Sequence, residues 1–97
     1  MSDYVMKDFQ EMKEYIQKEK RRGRLELPMF VVYDSPLDYR GKTVVRLWSG
    51  YPQIKATKKI ILLEAGQEVS SEIKEIGDYI RFPRLTKDDK SIREMWF

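Results

Sequence analysis

The stretch M-F-V-V-Y-D-S-P-L-D-Y-R-G-K-T-V-V-R-L-W, residues 29–48, decides the fold. Its opening, residues 29–33, and its close, residues 43–48, are rich in Val, Phe, Tyr and Trp. These types fit a pleated, half-buried surface, so both read as strands. Between them, Pro36 and Gly41 punctuate a connection dense in ionisable and aromatic side chains: Asp34, Asp38, Tyr39, Arg40 and Lys42.

Downstream, Ser49-Gly50-Tyr51-Pro52 is expected to break the second strand. Residues 55–64 resume as a third strand. Its continuous apolar run, Ile60-Ile61-Leu62-Leu63, implies burial on both faces or an end under a helix. After Gly66, residues 67–76 place Val69, Ile73 and Ile76 at spacings of four and three, a short second helix that Gly77 can cap. Residues 79–82 alternate as a strand stopped by Pro83. Residues 85–90 form a polar connection, and residues 91–97 alternate again as a final strand.

Upstream, Pro28 disfavours helix at Leu27, so residues 25–28 run extended. Residues 3–22 read as an amphipathic helix, with Val5, Phe9, Met12 and Ile16 on one side. Ser2 or Asp3 is the expected cap. Lys18, Lys20, Arg21 and Arg22 complement the negative end of the helix dipole, and Gly23 supplies a left-handed stop. The apolar side packs on the sheet or on a second copy of itself. The resulting fold class is α+β in one domain, 1–97. An N-terminal helix (1–24) precedes an α+β core (25–97) with a second short helix and a mainly antiparallel sheet of four or five strands.

A chain of 97 residues holds one core and little spare material for a deep cleft. No apolar run approaches the roughly 18 residues needed to span a bilayer. The first residues lack the apolar core of a secretory signal. With no Cys, a reducing compartment fits, and the expected location is cytoplasmic. The net charge of +3 is unevenly spread. Arg40, Lys42, Arg46, Lys55, Lys58 and Lys59 occupy residues 40–59 without one carboxylate, and a basic knot stands at residues 20–24. Glu64, Glu68, Glu72, Glu75 and Asp78 gather in the next block. Such a distribution suits a polyanion or an acidic protein surface, or simply keeps the exterior solvated.

The absence of His removes the commonest general base, the usual nucleophile–base pairs and, with Cys also absent, the usual zinc sites. Two carboxylate pairs, Asp34 with Asp38 and Asp88 with Asp89, have the composition for acid–base work or a hard cation. Both also lie in ordinary turn sequences, which is the preferred reading. No glycine loop for phosphate is present. The chain therefore reads as non-enzymatic, with no cofactor and no metal.

Tyr39, Arg40, Lys42, Arg46, Trp48, Tyr51 and Lys55 interleave aromatic rings with cations over two strands and their loops. Trp, Tyr and Arg are the residue types that dominate protein interfaces, so an unidentified protein partner is the first expectation. Nucleic acid is the alternative, since cations neutralise phosphates and rings stack on unpaired bases. A free strand edge, the C-terminal one with Trp96 and Phe97 exposed, leaves homodimerisation open.

Two segments carry a resemblance: V-V-Y-D-S-P-L-D-Y-R-G-K-T-V-V-R-L-W (residues 31–48) and R-F-P-R-L-T-K-D-D-K-S-I-R-E-M-W-F (residues 81–97). Together they resemble a family of small uncharacterised bacterial and phage-borne proteins. Its members carry V-Y-x-x-P-x-D-Y, then V-x-R-L/K-W, and close on R-L-P-R-x-x-x-D-D-x-x-I-x-E-x-W. The likeness covers residues 29–97. Arg84, Asp88, Asp89, Ile92, Glu94 and Trp96 fall at the spacing of the closing motif, with Phe82 for the usual Leu and Lys90 where Pro is common. The resemblance implies a fold and a mobile-element setting rather than a mechanism. Arg84 paired with Asp88 or Asp89 is the expected brace of the last strand.

Overall fold

The computed structural model describes every residue except Met1, Thr86 and Asp88. It is an α+β domain with one six-stranded sheet and two helices. In chain order the elements are β1 (Tyr4–Val5), α1 (Phe9–Arg21), β2 (Glu26–Asp34) and a short 3-10 helix (Leu37–Tyr39). There follow β3 (Lys42–Tyr51), β4 (Lys55–Glu64), α2 (Ser70–Ile76), β5 (Arg81–Pro83) and β6 (Ile92–Trp96). The sheet order is β1-β4-β3-β2-β6-β5, antiparallel throughout except for β1 on β4. The four or five strands expected become six because β1 was expected to be helix.

The helix begins later than expected for a physical reason. Tyr4 and Val5 pair in parallel with Lys59 and Ile60, and the Met6 N–H donates to the Ile60 carbonyl at 2.7 Å. Asp8 is therefore the cap, in place of Ser2 or Asp3: its Oδ1 accepts from the Glu11 N–H at 2.9 Å. At the other end Gly23 takes the left-handed stop, at φ +69°. The second helix also starts late, at Ser70, because the Glu68 side chain takes the N–H groups of Val69 and Ser70 at 3.0 Å each.

β3 runs through Ser49-Gly50 instead of breaking there. Glycine is what permits this, because a Cβ at Gly50 would lie 2.9 Å from Met29 Sδ and 3.2 Å from the Leu27 carbonyl oxygen. β6 is an interior strand, held between β2 and β5, with Trp96 buried. This corrects the expectation of a free C-terminal edge with an exposed Trp96. The true edge there, β5, is three residues long and ends at Pro83, which has no N–H to offer a neighbouring chain.

Both helices lie on one side of the sheet. Met12 and Ile16 of α1 and Ile73 of α2, with Val69 just before it, share a single core with Phe30, Val32, Val45, Leu47, Ile61 and Trp96. Among the described residues no helix is long and apolar enough to cross a membrane.

Candidate interaction face

Strand alternation sends every second side chain to the other side of the sheet, where neither α1 nor α2 packs. The register groups them. Met29, Val31 and Tyr33 of β2 lie opposite Trp48, Arg46 and Val44 of β3; Val44 and Arg46 lie opposite Leu62 and Ile60 of β4; Val31 and Tyr33 also lie opposite Met95 and Ile92 of β6. Val31, Val44 and Ile60 are buried at its centre yet belong to no part of the helix-side core. The larger side chains around them, Met29, Tyr33, Trp48, Leu62 and Met95, are all half-buried.

Arg46 is a cation of this face, and it is engaged. Its guanidinium makes two bonds to the Asp3 carboxylate, at 2.8 and 2.9 Å, and a third to the Thr57 carbonyl at 2.9 Å. Tyr39 donates its hydroxyl to the same carboxylate at 2.9 Å. The Arg46 hydrogen bonds outweigh burial and hold the Asp3 carboxyl below its ordinary 3.8, with help from Tyr39. Burial and the donation to Asp3 push the Tyr39 phenol up. β1 thus serves as a clasp, bringing Asp3 onto a residue 43 positions away.

Trp48 carries the site's unusual feature. Its indole Nε1 is buried and has no hydrogen-bond partner among the described residues. The Tyr33 phenol stands close enough for the indole to pull its titration down, yet outside hydrogen-bond geometry; burial wins and the phenol titrates high. A buried donor left unpaired costs about 1–3 kcal/mol.

Beside these groups a cleft of about 220 Å³ opens between the sheet, the 3-10 helix and the segment entering β6. Tyr33, Tyr39, Asp38, Arg46, Asp89 and Ser91 supply its polar lining. It is smaller than the roughly 300–1,000 Å³ of ordinary small-molecule pockets. The chain matches no protein-family model, no curated protein and no solved structure. The face is therefore interpreted from its own chemistry.

The seven residues expected to form one patch divide into three groups. Tyr39 and Arg46 meet at the Asp3 carboxylate on the open face, and Trp48 lies two residues beyond Arg46 on β3. Arg40 and Lys42 are exposed at one end of the β3–β4 hairpin; Tyr51 and Lys55 are exposed at the other. Nine residue steps of extended chain separate Lys42 from Tyr51, about 30 Å. Arg40, Lys42 and Lys55 thus form no single cluster.

The carboxylate pairs divide too. Asp34 faces the helix side and accepts from Arg93 Nε and from the Thr43 hydroxyl at 2.9 Å each; Arg93 reaches on to the Gln67 carbonyl at 2.8 Å. Arg93 thereby holds the Asp34 carboxyl low, and Asp38 stands apart in the cleft. Asp89 Oδ1 accepts from the Ser91 N–H and hydroxyl at 2.8 Å each. Among the described residues no ion pair joins Asp89 to exposed Arg84, and Asp88 lies outside the described residues. Sequence reasoning missed Asp3, Tyr33 and Arg93 as partners. Alternation with buried Val32 was the available signal for Tyr33; long-range pairing leaves no such signal for the other two.

Proposed function

We propose that this protein is a small non-enzymatic binding module that acts by stoichiometric contact with a partner protein through its helix-free sheet face. The observation that carries the reading is the buried indole N–H of Trp48, without a partner among the described residues, on a sheet face that also carries half-buried Met29, Tyr33, Leu62 and Met95. A partner carbonyl reaching Trp48 satisfies a donor left unpaired among the described residues, and closure over the methionines removes apolar surface from water. Trp, Tyr and Met are also the types enriched in interface cores. The likeness of residues 29–97 to phage-borne proteins adds a prophage accessory role in the cytoplasm. The nucleic-acid alternative is weaker, because Arg46 is neutralised by Asp3 and Arg40 and Lys42 stand at the opposite end of the hairpin from Lys55.

The test is affinity capture of the partner with tagged protein, followed by titration of the purified pair. A one-to-one complex weakened at least about tenfold by Trp48→Ala and Tyr33→Ala, but not by Lys55→Ala, is the expected result. Tryptophan fluorescence titrated with single- and double-stranded oligonucleotides at two salt concentrations supplies the opposing outcome. Quenching that fades steeply with salt would replace this reading by nucleic-acid binding.

A further inference from the structure

We infer a second docking surface, away from the open face and independent of the reading above: the groove between α1, the entrance of β2 and the connection from α2 to β5 receives an acidic, apolar-anchored segment of a protein partner, with Leu27 as the anchor. The first observation is backbone strain without local return. Leu27 sits in the left-handed region at φ +51°, which a branched, bulky side chain rarely adopts. It also precedes Pro28, which biases its backbone toward extended conformations. Nothing in the monomer offsets this by burial, since the Leu27 side chain is 64% exposed. Glycine would take the same backbone freely. Gly50 opposite is fitted to this arrangement, because a Cβ there would lie 3.3 Å from Leu27 Cβ. The strained backbone thus presents a leucine to solvent.

The second observation is the setting. Leu27 lines a groove of about 390 Å³ together with Ile16, Pro28, Ile76 and Phe97, the last 44% exposed. Lys13 and Lys20 line the α1 side of the same groove, opposed by Asp78 alone among the carboxylates of its wall. Arg21, Arg22 and Arg24, which follow Lys20 in the chain, are exposed as well. An apolar floor inside a basic rim is complementary to a segment with leucine-like residues on one side and Asp or Glu on the other. A second copy of this chain would bring the same cations against each other, and a polyanion without apolar groups would leave Leu27 and Phe97 unused. Charge selects the acidic amphipathic occupant.

The probe is a fluorescently labelled synthetic peptide with leucines along one helical face and glutamates on the other, set beside a twin with lysines for glutamates. Binding to the full chain is read by anisotropy. Saturable binding of the glutamate peptide, at least about tenfold tighter than the lysine peptide, is expected. Leu27→Gly should weaken it at least about tenfold while raising the melting temperature, because strain is relieved as the contact is lost. A positioning role confined to the monomer would not separate those two readouts in this way. Equal binding of both peptides overturns the proposal, as does glutamate-peptide binding that Leu27→Gly leaves unchanged. Sedimentation showing a dimer that Leu27→Asp dissolves would also overturn it, by assigning the groove to a second copy. None of these readouts involves Trp48, so failure here leaves the open-face reading standing.

Discussion

The same strands build two different surfaces, one on each side of the sheet. On the helix side, Phe30, Val32, Val45 and Leu47 are each 0% exposed, sealed by Met12, Ile16, Val69 and Ile73. On the other side, Val31, Val44 and Ile60 are as deeply buried, but by neighbouring side chains alone, and the residues that shield them remain half-exposed. The two tryptophans show the contrast most directly. Trp96, on the helix side, donates its Nε1–H to buried Glu94 at 2.7 Å. Trp48, on the open side, donates to nothing among the described residues. A face closed within the chain satisfies its polar atoms internally; the face left open retains an unpaired donor, and that is where a partner has most to gain.

The largest expected effect is on the closed face. Phe30→Ala removes a fully buried ring that stacks edge-on with Tyr79 at 5.0 Å, and should cost about 3–5 kcal/mol in urea unfolding. A loss under about 1 kcal/mol would mean that the two faces are not energetically distinct.

Next comes the clasp that ties the open face to the N-terminal strand. Arg46→Met removes three charge-assisted bonds and should cost about 2 kcal/mol at pH 7. The sign of its pH dependence follows from Asp3. Its folded carboxyl titrates below 3.8, so the stabilisation is fully present above that value and is lost as pH falls through the depressed one. The gap between parent and variant should therefore be widest near neutrality and shrink below about pH 3.8. Paired acid-unfolding curves check it; a gap independent of pH would detach Arg46 from Asp3.

The finest comparison is between the tryptophans. Trp96→Phe strands the buried Glu94 carboxylate, whose other ion-pair contact is Arg81 at 4.0 Å, and should cost about 1–3 kcal/mol. Trp48→Phe removes an unpaired donor and should be neutral or raise stability by up to about 1 kcal/mol, read as a change in urea midpoint. Equal costs would show that Trp48 has a partner in solution.

Much of the fold was legible in residues whose information is local. The β-favouring composition around Val31 and Val45, the helical spacing of Phe9, Met12 and Ile16, and the stops at Gly23 and Pro83 act within a few positions, and each element formed. The errors occurred where distant partners changed the local choice. Tyr4 and Val5 fit a helix by spacing but joined β4. Gly50 suggested a break, yet it serves as the gap into which Leu27 and Met29 press. The candidate patch was half legible for the same reason. Its residue types were visible, but the exposure of Arg40, Lys42, Tyr51 and Lys55 at two hairpin ends, and the capture of Arg46 by Asp3, depended on register and on β1.

The sequence by itself determined an α+β domain with strands around residues 29–48, a basic middle and a lack of the usual catalytic side chains, because periodicity and composition are properties of short windows. Only the tertiary structure decided which side of the sheet the helices cover, which arginine Asp3 captures and which tryptophan lacks a partner among the described residues. Those outcomes depend on contacts between residues 43 and 59 positions apart, Asp3 with Arg46 and Asp34 with Arg93, and no local pattern encodes which distant side chain will arrive.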